Sequence, residues 1–330
     1  MKIAVSLFLT LITAFPLLAE NSPAELRQTG KAVLGTIPDK MPGAETDTPA
    51  LIELGRTLFF DVRLSANNTQ SCNSCHGLDQ RHGGVDNAPT SLGDAGHRGG
   101  RNAPTVLNAG FHVAQFWDGR AADLAAQANG PILNPVEMGM HGETAVLDKL
   151  STVPGYGEAF AKAFPGDAKP LTYENLARAI AAFERTLVTH DRFDDFLKGE
   201  DGALNERERK GLETFVSVGC IGCHNGPLFG GNSFQKIGVV NAYKTDDLGR
   251  FAVTKDEADK FKFKVPSLRN IEITAPYFHD GSQATLEGTV REMAWLQLGR
   301  KLTDEEVDSI VTFLHTLTDK SRTPAHTTSR

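Results

Sequence analysis

The sequence predicts a mainly α-helical protein in which one arrangement of helices occurs twice. Apolar residues recur at helical spacing in several segments that begin with a capping residue, and convincing strands are few. A short cysteine motif follows such a helix once in each half of the chain. We expect an N-terminal domain at 20–190 and a C-terminal domain at 191–317, with a joint near Asp191 to Gly202. A polar tail at 318–330 is expected to fray.

The composition is that of a globular protein and narrows the classes of function. The 330 residues are 40% hydrophobic and 23% charged, which is more apolar than a disordered chain and long enough for about two domains. Lys plus Arg number 34 against 41 Asp plus Glu, so the formal charge is −7. A mildly acidic chain is a poor candidate for binding phosphate backbones, and we expect no nucleic-acid partner.

The first nineteen residues predict a secretory signal. Met1-Lys2 is followed by an apolar run from Ile3 to Leu18 and then by the small residue Ala19. We expect cleavage near Ala19 and an exported protein that is not embedded in a membrane. An uncleaved anchor is the alternative, because the apolar run approaches the length that spans a bilayer.

Two helices of the N-terminal half have recognisable first residues. Thr48-Pro49 is typical of an N-cap followed by the first helical position, and Thr172 is a second capping residue. Their apolar faces carry Leu51, Leu54, Leu58 and Phe59 in the first helix, and Leu176, Ile180, Phe183 and Leu187 in the second. We expect the first helix to end shortly before the cysteine motif and the second to close the domain.

The C-terminal half repeats this plan. Asn205 with Glu208, and Thr303 with Glu306, have the spacing of capping boxes. The apolar faces that follow carry Leu212, Phe215 and Val216 in one helix, and Val307, Ile310, Val311 and Leu314 in the other. The first of these helices leads into the second cysteine motif, and the other closes the domain.

All four cysteines lie in two copies of Cys-x-x-Cys-His, at 72–76 and 220–224. This pattern is the attachment signature of c-type haem. Two thiols one helical turn apart add to the two haem vinyl groups, and the imidazole that follows reaches the iron. The thiols are Cys72, Cys75, Cys220 and Cys223, and the imidazoles are His76 and His224. The sequence therefore predicts two covalently bound c-type haems.

The rival interpretations of these cysteines explain less of the pattern. The two pairs lie much farther apart in the sequence than the paired ligands of zinc sites usually do, and zinc does not need the trailing histidine. A redox dithiol or a disulfide leaves His76 and His224 equally unexplained. Helical surroundings at each motif favour two class I cytochrome c-like haem domains packed against each other. Export agrees with this, since c-type haem is attached outside the cytoplasm.

The positions of the methionines limit which of them could bind the iron of the second haem. Of five methionines, only Met293 follows the second motif, so a methionine ligand from that domain must be Met293. A Met ligand raises the reduction potential and suits electron acceptance, whereas an open position suits chemistry on a peroxide. From the residues alone, Met293 could equally fill the core on a helix from Leu286 to Leu298.

Several longer segments identify a family. The chain resembles the bacterial di-haem cytochrome c peroxidases from about Gly55 to Leu317, with both haem motifs in their places. The segments that carry the resemblance are Gly100-Arg-Asn-Ala-Pro-Thr105, Gln115-Phe-Trp-Asp-Gly-Arg120, Gln127, Asn134-Pro-Val-Glu-Met138, Val265-Pro-Ser-Leu-Arg-Asn270 and Thr274-Ala-Pro-Tyr-Phe-His-Asp-Gly281. These segments are shared with the related di-haem protein oxidases, so they specify the superfamily better than one member.

The resemblance implies different roles for the two haems. The haem on His76 would be the peroxidatic one, and the haem on His224 and Met293 would receive electrons. Glu137 matches the acid–base residue that takes a proton from the near oxygen of peroxide and delivers it to the far one. Gln127 matches a hydrogen-bond donor in the same pocket.

The resemblance also implies residues that connect the two domains. Trp117 matches the tryptophan between the haems, where packed protein carries the electron. Asn102, with the carbonyl groups of Thr274 and Pro276, matches an inter-domain calcium site, and oxygen ligands suit this hard cation.

One position departs from the family pattern. Resting members of the family hold the sixth site of the peroxidatic haem with a loop histidine, and a gapless count places Asp94 there. The nearest histidine, His97, lies in the glycine-rich stretch at 93–100, which could move or change its register. His97 is therefore a candidate labile ligand; a surface histidine beside an open iron is the alternative, and His82 is a more distant candidate.

The function implied is a periplasmic peroxidase that reduces hydrogen peroxide to water with electrons from a small redox protein, a cytochrome c or a cupredoxin. A homodimer is implied by the family alone. Two alternatives stay open. A di-haem oxidase would modify a partner protein, but such enzymes carry Tyr where Met293 stands. A plain electron carrier would leave Gln127 and Glu137 without a role.

Overall fold

The structure is a computed structural model that describes residues 22–79 and 83–322. These residues form twelve α-helices and a two-stranded antiparallel sheet, which confirms the mainly α class. The helices are α1 (Pro23–Val33), α2 (Pro49–Phe59), α3 (Cys72–Cys75), α4 (Leu124–Leu133), α5 (Glu143–Ser151), α6 (Tyr156–Ala163), α7 (Tyr173–Glu184), α8 (Arg192–Lys198), α9 (Glu206–Val218), α10 (Phe251–Thr254), α11 (Leu286–Leu298) and α12 (Asp304–His315). The strands are β1 (Phe234–Lys236) and β2 (Lys262–Lys264). The predicted signal segment at 1–19 and His82 lie outside the described residues.

The predicted helix starts are confirmed. Thr48 and Thr172 each accept a hydrogen bond from the first turn of the helix they precede. The boxes of Asn205 with Glu208 and of Thr303 with Glu306 both have their two hydrogen bonds. The apolar pattern after Thr172 extends past the helix, because α7 ends at Glu184.

Each half is organised around the same close crossing of two helices. In the first core, α2 packs on α7, and a Cβ on Gly55 would collide with the Ala179 carbonyl. In the second core, α9 packs on α12, and a Cβ on Gly211 would collide with the Ser309 carbonyl. In both halves, therefore, a glycine lets the helix before the haem motif approach the closing helix.

Two segments do not pack as expected if the chain is simply divided into an N-terminal domain, a C-terminal domain and a frayed tail. Helix α1 precedes the first core in sequence, yet its Leu26 belongs to the second core, against α8 and α9. The tail was expected to fray from 318, but Thr318 and Asp319 are buried. The Asp319 N–H donates to Asn270 Oδ1 at 2.9 Å, which holds this part of the tail against the second domain.

The predicted joint near Asp191 is a packed helix. Asp191 caps α8, whose Phe193 and Phe196 are fully buried in the second core. The buried guanidinium of Arg269 pairs with Asp191 and with Asp194, at 2.9 Å for the latter. Removal of one partner would leave a buried charge, so these pairs hold the start of α8 against Arg269. The domain boundary at 190/191 remains a prediction.

Within the described residues, none of the helices combines the length and the apolar character needed to cross a bilayer.

Candidate active site

The first haem motif forms one isolated helical turn. Ser71 and Ser74 make a capping box that starts α3 at Cys72. The His76 N–H then donates to the Cys72 carbonyl at 2.9 Å. Both thiols therefore lie on one turn, with the imidazole directly after it, as covalent haem attachment requires.

The second motif reaches the same arrangement from the end of a longer helix. Gly219 adopts a left-handed conformation with φ 103° and ends α9, and a short 3₁₀ turn at Cys220–Gly222 follows. The His224 N–H donates to the Cys220 carbonyl at 2.9 Å. The Nδ1 atom of His224 lies 3.0 Å from the Phe229 carbonyl, which orients the ring and leaves Nε2 for iron.

A cavity beside the first motif brings together most of the predicted catalytic residues. Its lining includes Cys72, Cys75, His76, Trp117, Gln127 and Glu137. Burial lowers the pKa of His76, which favours the neutral imidazole that binds iron. These features fit a haem held by His76.

A second cavity lies beside the second motif, and its lining is largely apolar. It includes Cys220, Cys223, His224 and Met293. Met293 is half-buried on α11, the helix predicted for it. Burial lowers the pKa of His224, so this imidazole is also neutral. A thioether and an imidazole on one cavity are a donor set that suits a six-coordinate haem iron.

The two cavities share one wall. Residues 102–105, together with Phe116 and Trp117, line both of them. The indole N–H of Trp117 donates to the Asn102 carbonyl at 2.9 Å, and the Trp117 carbonyl accepts the Lys264 N–H at 2.7 Å. The tryptophan is thus fixed to both halves of the chain.

Glu137 is held by a turn that begins at Asn134, a residue to which the sequence analysis assigned no role. The Asn134 side-chain N–H donates to Glu137 Oε1 at 2.7 Å, while Asn134 Oδ1 accepts the Val136 N–H at 3.0 Å. Burial raises the pKa of Glu137. A shielded carboxylate with a raised pKa can both accept and return a proton near neutral pH. The local signal for Asn134 was its place in an Asn-Pro turn.

Glu184 is a second residue that the sequence reasoning missed. It lines the first cavity from the end of α7, and its Oε2 atom is buried without a hydrogen-bond partner in the described structure. Burial raises the pKa of Glu184 to about 8, so the carboxyl is largely protonated at neutral pH. Its position four residues after Ile180, on the buried face of the helix, could have revealed it.

Among the predicted iron ligands that the structure describes, only His97 lies away from the cavities. It is exposed, and it is not among the residues that line the first cavity. Asp94 accepts the Asn67 N–H at 2.8 Å and the Thr69 hydroxyl at 2.6 Å, while its own N–H donates to the Glu137 carbonyl at 2.7 Å. In this arrangement Asp94 holds the loop against the Glu137 turn, and His97 would reach the iron only if the loop moved.

The oxygens predicted to bind calcium lie along the second cavity. Asn102, Thr274 and Pro276 all line it. The Asn102 side-chain N–H donates to the Ala88 carbonyl at 3.0 Å, and this contact does not use Oδ1. Within the described residues, no backbone N–H donates to the carbonyl groups of Thr274 or Pro276. No cluster of three acidic, His or Cys side chains suited to a metal occurs in that part of the chain either.

Comparison with known proteins places this arrangement in one family. A sequence model described as di-haem cytochrome c peroxidase matches residues 49–202. Cytochrome c551 peroxidase from Pseudomonas aeruginosa is 48% identical over 81% of this chain and 78% of its own length. The cytochrome c551 peroxidase from Nitrosomonas europaea is 51% identical over 81% of this chain and 80% of its own length.

More distant relatives include proteins with other names. The methylamine utilization protein MauG from Methylorubrum extorquens is 35% identical over 84% of this chain and 80% of its own length. Among solved structures, a MauG-like protein associated with microbial copper homeostasis has a TM-score of 0.77 and 30% identity. It covers 88% of this chain and 95% of its own.

Proposed function

This chain belongs to the di-haem cytochrome c peroxidase family, and we propose that its two cavities divide the reduction of hydrogen peroxide between them. The chain is a di-haem peroxidase. The observation that supports the division of roles is the difference between the cavities: the buried carboxyl of Glu137 lines the first, and the thioether of Met293 lines the other beside His224.

In the first cavity, the chain supplies proton transfer. A haem bound there through His76 provides an iron face on which peroxide is reduced. The Glu137 carboxylate takes the proton from the near oxygen of peroxide and returns it to the far oxygen, so that water leaves. Asn134 orients this carboxylate, and Gln127 donates a hydrogen bond to the peroxide.

In the second cavity, the chain supplies electron entry. His224 and Met293 would hold a haem in this cavity, and a thioether ligand would raise its reduction potential. The electron then crosses the shared wall at Trp117. A methionine at this cavity supports the peroxidase over the protein-oxidase alternative, in which a tyrosine stands at that position.

The electron donor is a small redox protein, a cytochrome c or a cupredoxin, and the enzyme works in the periplasm. The cytochrome c551 peroxidases support this donor class, and the signal-like residues at 1–19 support export.

Mixing the reduced holoenzyme with hydrogen peroxide and a ferrocytochrome c tests the proposal. We expect peroxide-dependent oxidation of the donor, with two donor electrons used per peroxide. A holoenzyme with both haems attached that oxidises neither a cytochrome nor a cupredoxin would contradict it.

We further propose one calcium ion between the domains, bound by Asn102 Oδ1 and the carbonyl groups of Thr274 and Pro276. Because the Asn102 carbonyl also accepts the Trp117 indole N–H, removal of calcium with a chelator should disturb the wall between the haems. We expect slower turnover that added calcium restores.

Calcium titration of Asn102→Ala checks the ligand assignment. We expect this variant to need about tenfold more calcium, or more, for half-maximal activity. Asn241→Ala, at a part-exposed amide outside both cavity linings, is the matched control and should titrate like the wild type. An Asn102→Ala enzyme with an unchanged calcium requirement would contradict this assignment.

A further inference from the structure

A buried lysine lies beside the second cavity without an anionic partner. Lys264, at the end of β2, is only 5% exposed, and it lines that cavity. Its Nζ atom lies 2.8 Å from His112 Nδ1. None of the ion pairs in the described residues includes Lys264. Burial of an ammonium group without a compensating anion is costly, so this position calls for a negative charge.

His112, beside Lys264, also has a buried polar atom without a partner. His112 also lines the second cavity, and its Nε2 atom is buried without a hydrogen-bond partner among the described residues. Burial lowers the pKa of Lys264 to about 7, and burial together with the Lys264 charge holds the pKa of His112 well below its usual value. An anion beside the two groups would therefore stabilise their protonated forms.

The backbone holds both residues in place from three segments. The Lys264 N–H donates to the Trp117 carbonyl at 2.7 Å. The Val113 N–H, next to His112, donates to the Gly231 carbonyl at 2.8 Å, and the Gly231 N–H donates to the Val265 carbonyl at 2.7 Å. Gly231 has a positive φ, and a Cβ there would collide with the His112 ring. The pair is thus a built site rather than two side chains that happen to meet.

We propose that Lys264 and His112 bind a propionate carboxylate of the second haem and thereby help to set its reduction potential. This inference rests on the proposed function, which places a haem on Cys220, Cys223 and His224 in the same cavity. A haem carries two propionate carboxylates, and one of them on Lys264 and His112 supplies the missing anion. The ammonium then forms a charge-assisted hydrogen bond, which is stronger than one between neutral groups. Both residues are positioning residues, since neither touches peroxide.

The charge of Lys264 determines how the pair affects the reduction potential of the second haem. An ammonium group that neutralises a propionate removes a negative charge from beside the iron. Without it, the uncompensated carboxylate stabilises the oxidised iron, which carries one more positive charge than the reduced form. The electron is then held less tightly by the second haem, and its potential falls.

Redox titration of the holoenzyme, followed in the absorption bands of the second haem, tests the pair. For Lys264→Met we expect the equilibrium between this haem and a reference couple to shift about tenfold toward the oxidised form, which is 59 mV for one electron. Lys264→Arg, which keeps the charge, should stay near the wild type. Lys262→Met is the matched control, because it removes a charge from the same strand outside the cavity lining, and it should not shift the potential.

Further variants keep the inference testable if Lys264→Met misfolds. If Lys264→Met does not retain both haems, Lys264→Gln removes the charge while keeping a hydrogen-bond donor, and it should shift the potential in the same direction. His112→Phe should produce a smaller shift of the same sign. An unchanged second-haem potential in Lys264→Met or Lys264→Gln, with both haems attached and peroxidase activity present, overturns this inference and leaves the proposed function intact. A wild-type enzyme without peroxidase activity would instead overturn the function.

Discussion

Replacement of Glu137 by Gln is expected to lower peroxide turnover by about 10²- to 10⁴-fold while both haems stay attached. Gln keeps the shape of the side chain, and its oxygen can still accept the Asn134 N–H. It cannot, however, take a proton from the near oxygen of peroxide. Steady-state oxidation of a ferrocytochrome donor measures the loss, and the haem absorption confirms that the cofactors remain.

The same substitution should change the pH profile. The carboxylate is the form that accepts the proton, and burial raises the pKa of Glu137 above its ordinary value of 4.5. Wild-type turnover should therefore fall as the pH drops through this raised pKa, and Glu137→Gln should lack that acidic limb. Glu158→Gln is the matched control, since Glu158 is exposed on α6, outside both cavity linings. Wild-type rates in Glu137→Gln would remove the acid–base role.

The second large effect is expected from Met293→Leu. Leucine fills similar space but cannot bind iron, so the second haem should lose its methionine-to-iron charge-transfer band and its reduction potential should fall. Electrons from the donor would then no longer enter, and turnover with a ferrocytochrome should drop to a small fraction of the wild-type value. The ferric absorption spectrum, a redox titration and steady-state kinetics measure the three effects.

The same substitution at another methionine distinguishes the loss of an iron ligand from a change in core packing. Met140 is buried in the first core and lines neither cavity, so Met140→Leu should keep the band, the potential and the turnover. Volume-conserving core substitutions of this kind usually cost less than about 1.5 kcal/mol of stability. A charge-transfer band that survives in Met293→Leu would show that Met293 is not the sulfur ligand of the second haem.

Local signals explain why much of the fold was predictable. Thr48, Thr172, Asn205 and Thr303 satisfy free N–H groups within one turn of their own positions, so the helices they begin are encoded nearby in the sequence. The haem motifs are local too, because two thiols and an imidazole need only one helical turn to be placed.

Long-range packing explains what the sequence did not reveal. Helix α1 shows an ordinary cap, yet nothing in it specifies that Leu26 joins the second core. Lys264 and His112 are 152 positions apart, and only the complete fold brings their side chains together. His97 and Asp94 share one loop, and the long-range hydrogen bonds of Asp94 with Asn67 and Thr69 hold that loop in place.

The account depends most on a functional difference between the two haems. Absorption spectra of the holoenzyme, recorded with and without cyanide before and after one-electron reduction, measure this difference directly. We predict that the electron goes to the methionine-ligated second haem and that the first haem stays ferric and binds cyanide. Two haems that remain six-coordinate and fail to bind cyanide in every redox state would contradict the account and leave only an electron carrier.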